Sequence, residues 1–454
     1  MKFLPRLVNL KGELFSSTFT YGMTAVIRLG SSLVLTRLLD PEAYGIFGIL
    51  LAFLFMLELL SDVGSTALLV RHERGDERAF VHTVWTVRMI RCVVNFCLVF
   101  FCAPLVASLY QSPILTGAFR VLSIWFLIVG AESMSFVLAQ RYQRAKISNY
   151  ADMLSNLVMS LFVIGLATIY KSPYVLIYGA LLQRTLLTIA SHFFYRTIGI
   201  GFALDREALR DQFRFARFVL PSSPLTIVLT QYDKVVLLKL FNLSLLGLYG
   251  LSNNMLGPIN GVNLHNARVI LYARCTDYFR MDRATARDRY YTENKRLMNL
   301  GVALAALLAG SAPALVAILY DPRYAMVGQI LTILSLGAIV IAMQNSSENL
   351  LVAYGRTHIV LVANLIRIFT VIPATLLGFY FFGFFGFLWF GLIATLPLLM
   401  FLFWEQNKFQ LLSIKDELRR LSLGLLVFVL SFVASQVFLA LIPVKWLHLG
   451  IKGH

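Results

Sequence analysis

Thr36 to Arg71 reads TRLLDPEAYGIFGILLAFLFMLELLSDVGSTALLVR. Asp40-Pro41-Glu42 combines turn formers with a proline suited to the first position of a helix. From Ala43 to Val70 only Glu58 and Asp62 carry charge. A run of this kind exceeds the roughly 20 apolar residues that cross a bilayer. It ends at a basic cluster, Arg71, Arg74 and Arg78. Residues 36–71 therefore hold the end of one span, an exposed turn, a complete second span and a positively charged loop.

Outward from this segment the pattern repeats. Apolar runs at 14–38, 43–70, 80–109, 114–141, 149–170 and 174–195 precede a charged break, and runs at 214–240, 244–270, 294–320, 326–353, 358–382, 385–405 and 418–443 follow it. The reading is an all-α polytopic membrane protein with about 13 transmembrane helices, two six-helix lobes and an extra C-terminal helix. Residues 1–213 form the expected N-terminal lobe with its linker, 214–405 the C-terminal lobe, and 406–454 the extra helix and tail. The turns at Asp40-Pro41, Ser112-Pro113, Ser172-Pro173 and Asp321-Pro322 fall on one side of the membrane. The aromatic run Phe379–Trp389, broken by Gly383 and Gly386, reads as a tight interfacial turn.

Composition agrees. Of 454 residues, 58% are hydrophobic and only 14% charged, against about 25% charged in a soluble domain. That excludes a soluble enzyme, a disordered chain and a disulfide scaffold. The charges are lopsided, 40 Lys+Arg against 23 Asp+Glu, or +17. With the N-terminus cytoplasmic, the inner segments hold 27 of these cations and the outer segments 4, as the positive-inside rule requires. Membrane topology accounts for the basic loops, so nucleic acid is not an expected partner. Residues 1–13 are too polar for a signal peptide, and the first span carries Arg28. Three of the cysteines, Cys92, Cys97 and Cys102, lie in one span, a pattern of small apolar residues with no metal site.

The charges left inside the membrane are informative because each costs several kcal/mol unless it faces an interior or a wet cavity. The cations are Arg28, Arg37, Arg88, Arg91, Arg120, Arg184, Lys234, Lys239 and Arg367; the acids are Glu58, Asp62, Glu132, Asp152, Asp233 and Glu348. The cationic excess points to an anionic ligand. Arg28, Arg184, Arg367, Arg88 and Arg91 are the candidate ligands, since a guanidinium fork matches phosphate oxygens. An ion pair competes at each, for Arg28 with an acid on another helix such as Glu132 and for Arg184 and Arg367 with Glu132, Asp152 or Glu348. Counting residues from the ends of an antiparallel hairpin pairs Asp62 with Arg88 and Glu58 with Arg91, as structural or gating contacts. Asp233 and Lys234 are adjacent and face different ways; Asp233 is a candidate for coupling to a proton or sodium gradient. The eighth span is rich in carboxamides, of which Asn253, Asn260 and Asn263 suit sugar hydroxyls, although interhelical bonding is an equal use for them. Pro221 and Pro224 interrupt the seventh span and mark a hinge or a static kink.

The halves echo each other. Arg37 ends the first helix and Tyr44-Gly45 opens the second; Lys239 and Tyr249-Gly250 occupy matching places after the charged break. Six helices between copies implies parallel repeats related by a pseudo-twofold axis along the membrane normal. The stretch Arg37–Phe47 resembles the first-hairpin signature of Wzx-type polysaccharide flippases, of the multidrug/oligosaccharidyl-lipid/polysaccharide exporter superfamily. Ser61–Arg71, Gly75-Asp76-Glu77 and Thr83-Val84-Trp85 resemble their second helix and inner loop. The resemblance implies a bacterial inner-membrane transporter that flips polyprenyl-diphosphate-linked oligosaccharide through a cavity between two lobes. It implies no cofactor, and membrane lipids, a polysaccharide polymerase and export machinery as partners. A flippase for another precursor such as lipid II, a multidrug/cation exporter and a membrane glycosyltransferase or polymerase are the competing readings. The exporter would favour intramembrane acids, and the enzyme would need a larger outer domain than these short loops allow.

Overall fold

Pro41 occupies the first turn of a helix, where its missing N–H costs nothing, and Glu42 beside it favours the positive helix end. This computed structural model describes residues 10–142, 146–193, 200–220, 223–265 and 282–441, with Ala267, Leu271, Cys275 and Tyr278. Helical structure dominates them, and they include no strand.

Met1–Gly247 make one compact unit. Its helices are α1 (Leu10–Leu38), α2 (Pro41–Leu60), α3 (Ser65–Arg71), α4 (Arg78–Leu109), α5 (Ile114–Ala131), α6 (Ser135–Arg141), α7 (Lys146–Ile169), α8 (Tyr174–Phe193), α9 (Arg206–Val219) and α10 (Ser223–Leu240). α4 packs along α5, α1 along α7, and α8 against both α5 and α7.

Two expected spans are broken. Residues 43–70 divide into α2 and α3 because Ser61 Oγ donates back to Leu57 O at 2.6 Å and Gly64 adopts φ +72°, a left-handed conformation open to glycine. The Asp62 carboxylate accepts the Gly64 N–H at 2.9 Å. Residues 114–141 divide into α5 and α6 at Glu132, whose backbone is extended at ψ 135°. The single rod expected over 214–240 is two helices, α9 and α10. Pro224 is the second residue of α10, whereas Pro221 lies outside the described residues.

Leu248–His454 make the second unit. It continues α11 (Leu243–His265) and holds α12 (Arg283–Glu293), α13 (Lys295–Leu319), α14 (Met326–Ala353), α15 (His358–Ile393), α16 (Leu396–Lys408) and α17 (Ile414–Leu441). α13 is its spine and lies against both α14 and α17. Its buried Ala305, Ala306, Ala309, Gly310 and Ala312 let neighbouring backbones approach, the usual means of helix association in lipid. Pro313 displaces the bond that Ala309 O would accept, and Thr332 Oγ1 supplies one instead at 3.0 Å. α17 is joined to α13 by the Ala314 N–H, which donates to Ser435 Oγ at 3.2 Å. A buried Glu417–Arg420 pair at 3.1 Å also anchors it, with the Tyr291 hydroxyl donating to Glu417 at 3.0 Å. Nearby, burial and the Glu293 carboxylate push the Tyr278 phenol up to about 12, so it remains a donor to Glu293. The aromatic turn falls at Gly383, where φ +63° divides α15.

Among the described residues, nine helical stretches are long and apolar enough to cross a membrane, and one of these, His358–Lys408, covers two of the expected spans. α1, α10 and α11 fall short of that apolarity. They carry Arg28, Asp233 with Lys234, and the asparagines. The chain is a multi-pass membrane protein, and these three less apolar long helices hold several of the candidate ligands.

Candidate functional site

A helix broken inside a bilayer exposes backbone groups that only protein can satisfy. At the α5–α6 break the Glu132 carbonyl accepts from Trp85 Nε1 at 3.0 Å, and the Ile128 carbonyl from Thr188 Oγ1 at 3.1 Å. The Ser133 N–H donates to Ser191 Oγ at 3.0 Å, and the Ser135 hydroxyl donates to the Ser191 carbonyl. The break is thus a built feature, and it holds the Glu132 side chain between α4 and α8.

Glu132 Oε2 accepts from both Arg88 Nη2 and Arg184 Nη2, the latter at 2.6 Å. All three side chains are largely buried, at 11%, 11% and 20% exposure for Arg88, Glu132 and Arg184. One carboxylate between two guanidiniums leaves one positive charge. The Arg184 guanidinium also lies 5.7 Å from the Trp125 ring centre, a cation–π contact. Its buried Nε–H has no acceptor among the described residues.

The hairpin pairing is corrected. Arg88 bonds Glu132, not Asp62; Asp62 bonds Arg91 at 3.4 Å; and Glu58 meets Arg91 through its backbone carbonyl at 3.5 Å. Counting depth along an unbroken rod fails because the chain leaves the helix at Ser61, which places Asp62 one turn of α4 away from the expected partner. Arg91 Nε is buried without an acceptor among the described residues.

Arg28 differs from these. Its Nε–H donates to Asn156 Oδ1 at 2.9 Å, and Asn156 Nδ2 donates to its own helix at Asp152 O at 2.8 Å. Gln183 Nε2, next in the chain to Arg184, donates to Asp152 Oδ1 at 3.5 Å. Arg28 is exposed and makes no ion pair with a described carboxylate. An exposed guanidinium on a membrane helix needs water or an anion in front of it, because lipid cannot solvate it.

The remaining candidates are scattered. On α10, Lys234 Nζ donates to Gln231 Oε1 at 2.9 Å, and Asp233 is half-buried. In the second unit Arg367 pairs with Glu348 at 3.3 Å. Asn253 bonds its own helix at Tyr249 O, 3.1 Å away; Asn263 is buried against Gly301; and Asn260 is half-buried. Asn156, Trp125 and Trp85 were not among the candidates. The four-residue spacing of Asp152 and Asn156 on one face of a membrane helix is the signal that points to Asn156.

Comparison with known proteins gives a consistent outcome. A family model described as "Polysaccharide biosynthesis protein" matches residues 34–273. The teichuronic acid biosynthesis protein TuaB of Bacillus subtilis (strain 168) is 21% identical over 308 residues, covering 66% of this chain and 62% of its own length. The chain thus spans about three fifths of that relative. The lipopolysaccharide biosynthesis protein WzxC of Escherichia coli (strain K12) is 22% identical over 390 residues, covering 82% of this chain and 76% of its own. Among solved structures, the lipid II flippase MurJ in an inward closed conformation superposes with a TM-score of 0.75 at 13% identity, over 94% of this chain and 93% of that one. An inward-facing multidrug resistance transporter of the MATE family gives 0.57 at 14% identity, over 90% and 98%. These two establish the shared fold.

Proposed function

The chain belongs to the polysaccharide biosynthesis protein family, and on that premise we propose that it is a flippase for polyprenyl-diphosphate-linked oligosaccharide repeat units. It moves them from the inner to the outer leaflet of the bacterial cytoplasmic membrane, with its N-terminus cytoplasmic, and acts as a transporter rather than an enzyme. TuaB and WzxC, both named for cell-surface polymer biosynthesis, support this reading, as does the fold shared with a lipid II flippase. The observation that carries it is Arg28. A diphosphate entering a membrane loses its water, and its charge must be met by donors not already neutralised. Arg28 is such a donor, exposed and steadied by a neutral asparagine. The buried Nε–H groups of Arg184 and Arg91 also lack an acceptor among the described residues, but their guanidiniums already face Glu132 and Asp62.

Arg28→Ala should leave the protein in the membrane at normal abundance but slow flipping by about 10- to 150-fold. That corresponds to losing one charged hydrogen bond of about 1.5–3 kcal/mol. Arg28→Lys should retain part of the rate, because charge survives and the fork does not. Lipid-linked repeat units retained on the inner leaflet, assayed in a deletion strain complemented by each variant, provide the measurement. Full complementation by Arg28→Ala would remove Arg28 from the site. Normal export in the deletion strain itself, with no second transporter, would end the flippase reading.

A further inference from the structure

α9 has four arginines and is flanked or threaded by three acids, yet the structure sorts them by face. Asp205 and Glu207 are both held by Arg74, at 3.2 and 2.8 Å. Asp211 meets His72 at 3.3 Å, and that imidazole stacks on Phe80 with ring centres 4.5 Å apart. Gln212 Nε2 donates to Ser65 Oγ at 2.7 Å, and Ala208 and Ala216 are buried, so this face of α9 is seated on α3 and α4.

The opposite face has no such partners. Arg206, Arg210 and Arg214 recur every four residues, all exposed, and none has a hydrogen bond or ion pair among the described residues. Phe213 projects from the same row at 63% exposure and Leu204, just before the helix, is exposed at 65%, whereas the Phe202 ring packs edge-on against Trp85 of α4 with ring centres 5.1 Å apart. α12 shows what a neutralised basic helix looks like here: Arg287 meets Asp288 at 3.1 Å and Arg289 meets Glu293 at 3.9 Å.

By its charge α9 lies outside the apolar spans, and chain order puts it next to one of them. It follows the membrane helix α8 and ends four residues before α10, which packs along α2. We propose that the outer face of α9 binds the phosphate-bearing headgroups of anionic phospholipids, with Phe213 set in the boundary beneath them. Arginines suit lipid phosphates through paired N–H donors, and rings interleaved with cations are the pattern of a helix lying in the interface. An acidic soluble partner would leave the exposed Phe and Leu unexplained. This inference does not depend on the flippase reading.

The test uses the full-length protein in mixed micelles of phosphatidylglycerol and phosphatidylcholine, with native mass spectrometry reading the ratio of the two lipids retained. The wild type should retain phosphatidylglycerol preferentially, and added salt should weaken the preference. The triple variant R206Q/R210Q/R214Q should lose about fivefold of preference per arginine, with an unchanged melting temperature because these side chains have no partner among the described residues. R287Q/R289Q should behave as wild type. Should the triple variant fail to fold, R210Q alone, titrated with salt, must still show the single-arginine loss. An unchanged ratio in the α9 variants overturns the proposal, and so does displacement of the lipid by polyglutamate with no preference for phosphatidylglycerol.

Discussion

Glu132→Ala should destabilise the protein by about 3–5 kcal/mol, while Asp62→Ala costs less, about 1–2 kcal/mol. Both remove an intramembrane carboxylate bonded to arginine, so a simple count of ion pairs would rank them equal. Burial separates them. The Asp62 side chain is 44% exposed and its contact with Arg91 is 3.4 Å long, so water reaches the carboxylate, although Arg91 itself is only 15% exposed and loses its one carboxylate partner among the described residues. Glu132 is 11% exposed and serves two arginines that are themselves 11% and 20% exposed. Its loss leaves two guanidiniums side by side with no other carboxylate partner among the described residues. Glu132→Gln keeps the shape and one acceptor oxygen, so it should fall between wild type and alanine. Thermal unfolding of the detergent-solubilised variants checks the order. If Glu132→Ala melts with Asp62→Ala, the triad contributes no more than a surface pair.

The apolar runs were legible in the sequence because the bilayer imposes a length on each of them, and the aromatic turn because Gly383 interrupts rings with a residue that tolerates φ +63°. The breaks were not. Ser61-Asp62-Val63-Gly64 and Glu132-Ser133-Met134 sit inside runs whose average apolarity exceeds what a span requires. Their turn chemistry is local and hydropathy is an average, so the average prevailed. An Asp two residues before a Gly, able to accept its N–H, was the available clue.

The cationic character of the interior was also legible, since charge excess follows from composition. Partner choice was legible only as a short set of acids, which held Glu132 for Arg184 and Glu348 for Arg367 but gave Arg88 the wrong partner. Arg88 and Arg184 find Glu132 across 44 and 52 residues of chain. Only the arrangement of α4, α5 and α8 brings those groups together. Arg28 could be singled out because its own helix offers no acid within reach. That absence of a local partner survives folding in a way that a counted depth does not.

The repeat equates Tyr44-Gly45 with Tyr249-Gly250, and the structure separates the two glycines by opposite expected effects. A methyl group on Gly45 would strike the Leu243 carbonyl oxygen and lie 2.7 Å from its carbon. A methyl group on Gly247 would strike the Pro41 carbonyl oxygen and come within 2.8 Å of Gly45 N. These obstacles are helix backbone, which cannot swing aside as a side-chain tip can. The first turns of α2 and α11 must therefore move apart, at a cost of about 3 kcal/mol or more. Gly250 meets nothing within 4 Å, and there the gain in helix propensity is all that remains. Gly250→Ala should therefore stabilise by about 0.5–1 kcal/mol. Membrane abundance and melting temperature should fall for Gly45→Ala and Gly247→Ala and hold or rise for Gly250→Ala. A tolerated alanine at both Gly45 and Gly247 would show that the two helix starts are not in backbone contact, and the close approach would have to be abandoned.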